Sequence, residues 1–235
     1  YYGLQTINMP DTLTKIEDGA FKNCVNLVLD NPNGVGSSFG TSIESIGNSA
    51  FEGCLSLKEA VFPSSLLSIG DSAFAKCTLT ELKDRELRYA NSEKTAKYRM
   101  NRTKYGTNVI KYGLSSVDFV RATKLEEIGK NAFQQTNIKQ FDLSKTKVTK
   151  IETGLLQQCS YLETVAFSDL TESMASKVIS DDVYLKKLTA PISSTMEGDT
   201  VSGVYGSKVG GWVDTDPALV LTQPEGDVQP LPINR

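Results

Sequence analysis

Histidine is absent from the sequence. That absence removes the usual proton shuttle near neutral pH, the Ser-His and Cys-His nucleophile pairs, and the commonest zinc ligand. Cysteine is sparse, and none of the 4 forms a CxxC pair, so the local ligand spacing of a structural zinc site is missing too. No apolar run approaches the ~20 residues of a membrane-spanning helix. Neither sign of charge dominates: a net charge of −3 gives no global field toward nucleic acid or an anionic membrane. An initiator methionine is also missing. The chain opens at Tyr1 inside a repeat, as a fragment or mature form would, so the lack of a leader carries no information on targeting. Cys-Lys, Ser-Lys and carboxylate chemistries are what these absences leave open.

What is present is a phrase spoken more than once. IESIGNSAFEGCLSL (43–57) is followed by LLSIGDSAFAKCTL, with Ile46 and Ile69, Phe51 and Phe74, and Cys54 and Cys77 each 23 residues apart. A fixed period marks a repeat array. The marker isoleucine recurs as Ile16, Ile46, Ile69, Ile128 and Ile151. Five residues on stand Phe21, Phe51, Phe74, Phe133 and Leu156; three further stand Cys24, Cys54, Cys77, Thr136 and Cys159. A leucine-like residue then opens a short alternating run with strand periodicity, such as LKEAVF, IKQFDL and LETVAF. Eight such openers are read: Leu4, Leu27, Leu57, Leu79, Leu114, Ile138, Leu162 and Leu185.

The spacing extends to units whose residues have drifted. Adding 23 to Ile151 gives Met174, then Ile179, Asp182 and the opener Leu185, so 163–190 is a degraded repeat in register. Leu27 and Leu57 are spread by the turn-rich stretch NPNGVGSSFGT. Leu79 and Leu114 are 35 apart, and residues 83–113 are read as one turn of the array whose return arm has lost the phrase. Each coil alone exposes an apolar side; stacked coils bury a continuous core of Ile, Ala, Phe, Cys and Leu. Glu52 and Lys76 fall between inward slots and read as exposed. Beyond about Pro191 the register is lost, and residues 191–235 read as a terminal cap or linker after a repeat domain over 1–190. In this tail Trp212 reads as a cap contact, and the acidic DTDP at 214–217, like Asp181-Asp182, as solvated turns.

The phrase LxxIGxxAFxxCxxLxxIxLP resembles that of BspA-type leucine-rich repeats, over about residues 4–190. It departs at Thr136, at Leu156, in the eroded unit after Ile151, and at 83–113. The resemblance implies an α/β leucine-rich-repeat solenoid: a right-handed coil with one narrow parallel β-sheet, short irregular or helical return arms and a period of about 23 residues. It implies a secreted or cell-surface setting, with adhesion to a protein ligand, either a host extracellular protein or another cell-surface protein. The absent histidine, CxxC pair and convergent carboxylate pair lead to the expectation of no cofactor, no metal and no enzyme activity. Two other readings stay open. One is a structural spacer that presents another domain. The other is a hydrolase of surface glycans or peptides, which would need a convergent carboxylate pair that the sequence does not display.

Two groups of residues invite a chemical role. Cys24, Cys54, Cys77 and Cys159 occupy one slot in different coils, a slot that also accepts Thr136 and Asp182. Buried free thiols fit that tolerance, while a Cys54–Cys77 disulfide between neighbouring coils stays geometrically open. The other group is basic. Residues 83–112 carry nine Lys or Arg and three acidic residues, a net of +6 that leaves −9 for the rest of the chain. Lys-Tyr recurs at 97–98, 104–105 and 111–112. Arg88, Lys97, Tyr98, Arg99, Arg102, Lys104 and Tyr105 form a candidate partner-binding set. Electrostatic attraction to an acidic protein suits it, and so does simple solvation; no recognised nucleic-acid module accompanies it, and no nucleic-acid partner is expected. The outward strand positions form two columns: Asn8, Val61, Asp118, Asp142, Ala166 and Thr189, and Thr6, Glu59, Glu81, Ser116, Gln140, Thr164 and Lys187. Both are small and polar, without an aromatic cluster.

Overall fold

A computed structural model describes residues 3–29, 37–78, 113–180, 185 and 187–189, and the strands at 195–196 and 220–222. In chain order the strands are β1 (Thr6–Ile7), β2 (Lys15–Ile16), β3 (Val28–Leu29), β4 (Ser45–Ile46), β5 (Glu59–Val61), β6 (Ser68–Ile69), β7 (Ser116–Asp118), β8 (Glu127–Ile128), β9 (Gln140–Asp142), β10 (Lys150–Ile151), β11 (Thr164–Ala166), β12 (Ser173–Met174), β13 (Lys187–Thr189), β14 (Thr195–Met196) and β15 (Val220–Thr222). Every pairing between them is parallel and joins strands of successive coils. A stack of coils results, in which each coil takes its hydrogen bonds from its neighbours.

The coil carries two columns of strands where one was expected. Odd-numbered strands make β1-β3, β5-β7 and β9-β11-β13-β15; even-numbered strands make β2-β4-β6-β8 and β10-β12-β14. The even column is built on the marker residue itself, with Ile16, Ile46, Ile69 and Ile128 in register and Ile151, Met174 and Met196 continuing the pattern. Met174, placed in this slot by counting alone, is indeed in it. Two strands fall in the tail, and each extends a column: β14 pairs with β12 and β15 with β13.

Among the described residues no arm is helical, and the backbone gives the reason. Three residues past the marker the chain is left-handed at Gly19, Ser49, Ser72, Asn131, Gly154 and Lys177, and seven past it at Asn23, Gly53, Lys76, Gln135 and Gln158. A left-handed residue every fourth position ends any helical turn. It also turns that residue's N–H out of its own coil: Ser49 N–H donates to Asp71 O at 2.8 Å, Gly53 to Ala75 O at 2.9 Å, Ser72 to Lys130 O at 2.8 Å and Lys76 to Gln134 O at 2.8 Å. A helix would use these donors internally; here they bind the coils together.

The core is a pair of aromatic stacks. Phe21, Phe51, Phe74 and Phe133 lie ring on ring with centroids 5.1, 5.2 and 5.3 Å apart. Phe39, Phe62 and Phe119 form a second stack at 5.2 and 4.7 Å, and edge contacts such as Phe62–Phe74 lock the two together. Phe39 comes from the stretch read as surplus loop and is fully buried. Beside the first stack runs the cysteine slot. The thiols of Cys54, Cys77 and Cys159 donate to the carbonyls of Phe21, Phe51 and Phe133 at 3.1, 3.1 and 3.2 Å. Thr136, in the same slot, donates its hydroxyl instead to Phe133 O of its own coil at 3.0 Å. All four cysteines are free and buried.

The period is less regular than the sequence implies. One hydrogen bond, from the backbone N–H two residues past the marker to the Asx side chain in the same slot of the preceding coil, spans 30, 23 and 59 residues at Asn48, Asp71 and Lys130. No coil is stacked between the two markers that this span of 59 joins. β5 pairs directly with β7 and β6 directly with β8, which leaves no space for a turn of the stack between them. The reading of 83–113 as a coil opened by Leu79 is therefore corrected: residues 79–112 are an insertion between a marker phrase and its own strand. Leu79 itself lies outside the described residues.

Candidate functional site

The candidate residues Arg88, Lys97, Tyr98, Arg99, Arg102, Lys104 and Tyr105 lie outside the described residues, as do Glu81, Asp182, Trp212 and 214–217. What the structure defines is the frame from which the insertion departs. Thr78 and Gly113 form an antiparallel bridge, and Leu114 N–H donates to Cys77 O at 2.7 Å. Thr78 Oγ1 donates to Asn137 Oδ1 at 2.7 Å, which ties the departure point to the following coil. Gly113 has φ +122, and a Cβ there would lie 2.4 Å from Cys77 O. Only glycine lets the returning chain cross this close to the departing one.

The odd-column face matches the predicted outward columns in part: Glu59 pairs directly with Ser116, with no place for Glu81 between them, and Thr6 pairs with Val28, which the columns left out. Glu59 faces Ser116 and Val61 faces Asp118; Gln140, Thr164 and Lys187 are in register, as are Asp142, Ala166 and Thr189. Two of its carboxylates serve the fold. Asp118 Oδ1 accepts the Val120 N–H and Asp142 Oδ1 the Ser144 N–H, each at 2.8 Å, closing the turn after the strand.

The even-column face holds an open groove of about 890 Å³ that sequence reading missed. Its floor is small: Ser45 and Ser68 before the marker, and Gly47, Gly70 and Gly129 after it. The glycines are required by the neighbouring coil, because a Cβ would come within 2.5 Å of Asp18 Oδ1 at Gly47, 2.7 Å of the Asn48 N at Gly70 and 2.4 Å of Asp71 Oδ1 at Gly129. Those Asx groups form one edge of the groove and act between coils. Asp18 Oδ1 accepts Asn48 N–H at 2.7 Å, Asn48 Oδ1 accepts Asp71 N–H at 2.8 Å, and Asp71 Oδ1 accepts Lys130 N–H at 2.7 Å. The two ends are closed by ion pairs in the same slots, Lys15–Glu17 at 2.9 Å and Lys150–Glu152 at 2.7 Å. A signal was present in the sequence: KIE, SIG, SIG, EIG and KIE flank the buried marker with outward residues of strand period.

Away from the groove, three thiols and one carboxylate are shifted by their surroundings. Burial pushes the Cys54 thiol up to about 12 and raises those of Cys77 and Cys159, so none supplies a thiolate nucleophile. Glu52, expected to be exposed, is 12% exposed and clamps three coils, bonding Lys22 Nζ at 2.7 Å and Lys76 Nζ at 2.8 Å. Burial pushes its carboxyl up, but hydrogen bonds from Lys22, Lys76 and Ser49 outweigh this and hold it at about 2. Among the described residues no cluster of three or more Cys, Asp or Glu side chains is placed to hold a metal ion, and no helix is long and apolar enough to cross a membrane.

Comparison with known proteins gives one consistent result. The family described as BspA type Leucine rich repeat region matches in 6 copies, over residues 36–96 and 108–200. No curated protein matches. A leucine-rich repeat protein of T. pallidum superposes with a TM-score of 0.52 at 17% identity, covering 82% of this chain and 73% of its own. One from Bacteroides ovatus gives 0.55 at 18% identity, covering 85% of this chain and 50% of its own, so the present chain spans half that protein's length. A leucine rich cell surface protein of Faecalibacterium prausnitzii matches with a TM-score of 0.28 at 16% identity, covering 88% of this chain and 80% of its own.

Proposed function

The chain belongs to the BspA-type leucine-rich repeat family, and from that premise we propose that it is a non-catalytic protein-binding module of a secreted or cell-surface protein, with adhesion as its role and the basic segment within 79–112 as its contact. Leucine-rich repeats are in general protein-interaction modules. The observation that carries the reading is the direct pairing of β5 with β7 and of β6 with β8 across residues 79–112. The stack closes across those residues, from β5 to β7 and from β6 to β8. A segment rich in one sign of charge on an otherwise acidic chain fits an acidic protein ligand. The tail after 190 fits a cap, supported by β14 and β15 extending the two columns.

The test compares three forms of the chain against extracellular and cell-surface proteins in a capture assay. They are the wild type, a form with 79–112 replaced by a short Gly-Ser link, and the triple variant Arg99→Glu, Arg102→Glu, Lys104→Glu. The wild type is expected to retain a ligand with salt-dependent association; both altered forms melt as wild type and lose it. A ligand retained by both removes the insertion as the contact. A wild type that binds nothing leaves the spacer reading.

A further inference from the structure

We propose that the even-column face is a self-association surface, on which two copies of this chain pair about a two-fold axis running along the stack. The partner is a second copy because the charges around the groove are complementary to themselves under that one operation. Rotation about an axis parallel to the stack lays each coil against the same coil of its partner and reverses the strand direction. The residue before the marker then faces the residue after it. Lys15 meets Glu17 of the second copy and Lys150 meets its Glu152, at both ends of the groove. Glu126, two before the marker, meets Lys130, two after it; both are exposed and both line the groove.

The alternative in-plane axis, across the stack, reverses the order of coils. Centred on the groove, it sets Lys15 against Lys150 and Glu17 against Glu152, a like-charge match at each end that disfavours it. The middle of the face tolerates close approach because it is small. Ser45 and Ser68 would lie opposite Gly47 and Gly70, and the groove floor leaves room for the long side chains at the opposing rim. The glycines are imposed by the coil-to-coil fit, whereas the lysines and glutamates at the two ends of the groove pair within their own coils. Isologous pairing of this kind closes on itself and yields a dimer.

Sedimentation of the full chain over a range of concentrations tests the proposal. The wild type is expected to show a monomer–dimer equilibrium that weakens with salt. Lys15→Glu with Lys150→Glu should raise the dimer dissociation constant by about tenfold or more, since four carboxylates then meet at each end. The swapped form Lys15→Glu, Glu17→Lys, Lys150→Glu, Glu152→Lys restores complementarity and should return the constant to within about threefold of wild type. Ser68→Arg, at the centre of the face, should abolish the dimer. All forms are compared at equal melting temperature. A chain that stays monomeric throughout, a dimer indifferent to Ser68→Arg, or a swapped form as weak as the double reversal overturns the pairing.

Discussion

Truncating Phe74 measures how far the aromatic stack holds the coils together. Its ring has no exposed surface and is sandwiched between Phe51 at 5.2 Å and Phe133 at 5.3 Å, nearly parallel to both at 6° and 3°. The edges of Phe39 at 6.0 Å and Phe62 at 5.7 Å meet it from the second stack. Phe74→Ala therefore opens a cavity bounded on every side by rings that cannot collapse into it without breaking their own contacts. A cost near the upper end of the usual range, about 4–5 kcal/mol, is expected. Phe21 offers an internal control of the same chemistry. It heads the stack, is only partly buried and stacks on Phe51 alone at 5.1 Å. Phe21→Ala should cost about 1–2 kcal/mol, since the site opens toward solvent and strands only one ring face. Urea unfolding followed by circular dichroism, with both variants against wild type, reads the difference. In a stacked array the loss at the end and the loss in the middle also separate as a shift of one part of the transition against a shift of the whole. Equal costs at Phe21 and Phe74, or a larger cost at Phe21, would refute the reasoning that burial between coils sets the energetics.

Two further outcomes follow from the charged and thiol groups. Glu52 has its carboxyl lowered from 4.5 to about 2, so its stabilisation is complete above pH about 4.5 and is lost as pH falls from there toward 2. Between pH 7 and pH 3 the wild type should lose about 1–2 kcal/mol more stability than Glu52→Gln, after allowance for the exposed lysine partners; urea midpoints at the two pH values decide it. The thiols of Cys54, Cys77 and Cys159 are buried and held protonated, so a thiol reagent at pH 8 should label none of them in the folded chain. All four cysteines should react after unfolding without reductant, and a count below four in that state would contradict the free-thiol core.

The sequence by itself determined what repeats at close range. Isoleucine at the marker, phenylalanine five on and a small donor three further recur because each must occupy one inward slot, and the count placed even Met174 correctly. The odd column was legible from its alternating runs. What only the tertiary structure decided are the relations between coils. The hydrogen bonds that align Asp18, Asn48, Asp71 and Lys130 cross 30, 23 and 59 residues, and no local pattern distinguishes a lengthened coil from an insertion when both keep the flanking strands in phase. Glu52 looks like a surface residue until Lys22 and Lys76 arrive from the coils on either side. Gly47, Gly70 and Gly129 look like flexible points, yet they are fixed by the Asx side chains stacked beneath them. The return arms looked free to be helical, and the left-handed residues that forbid it are Ser, Asn, Lys and Gln more often than Gly, tolerated because N–H groups redirected at positions such as Ser49, Ser72, Lys76 and Gln135 find their acceptors in the next coil. In a stack of this kind each coil carries its own apolar pattern in sequence, while its hydrogen-bond partners belong to another coil and become visible only when the two are brought into contact.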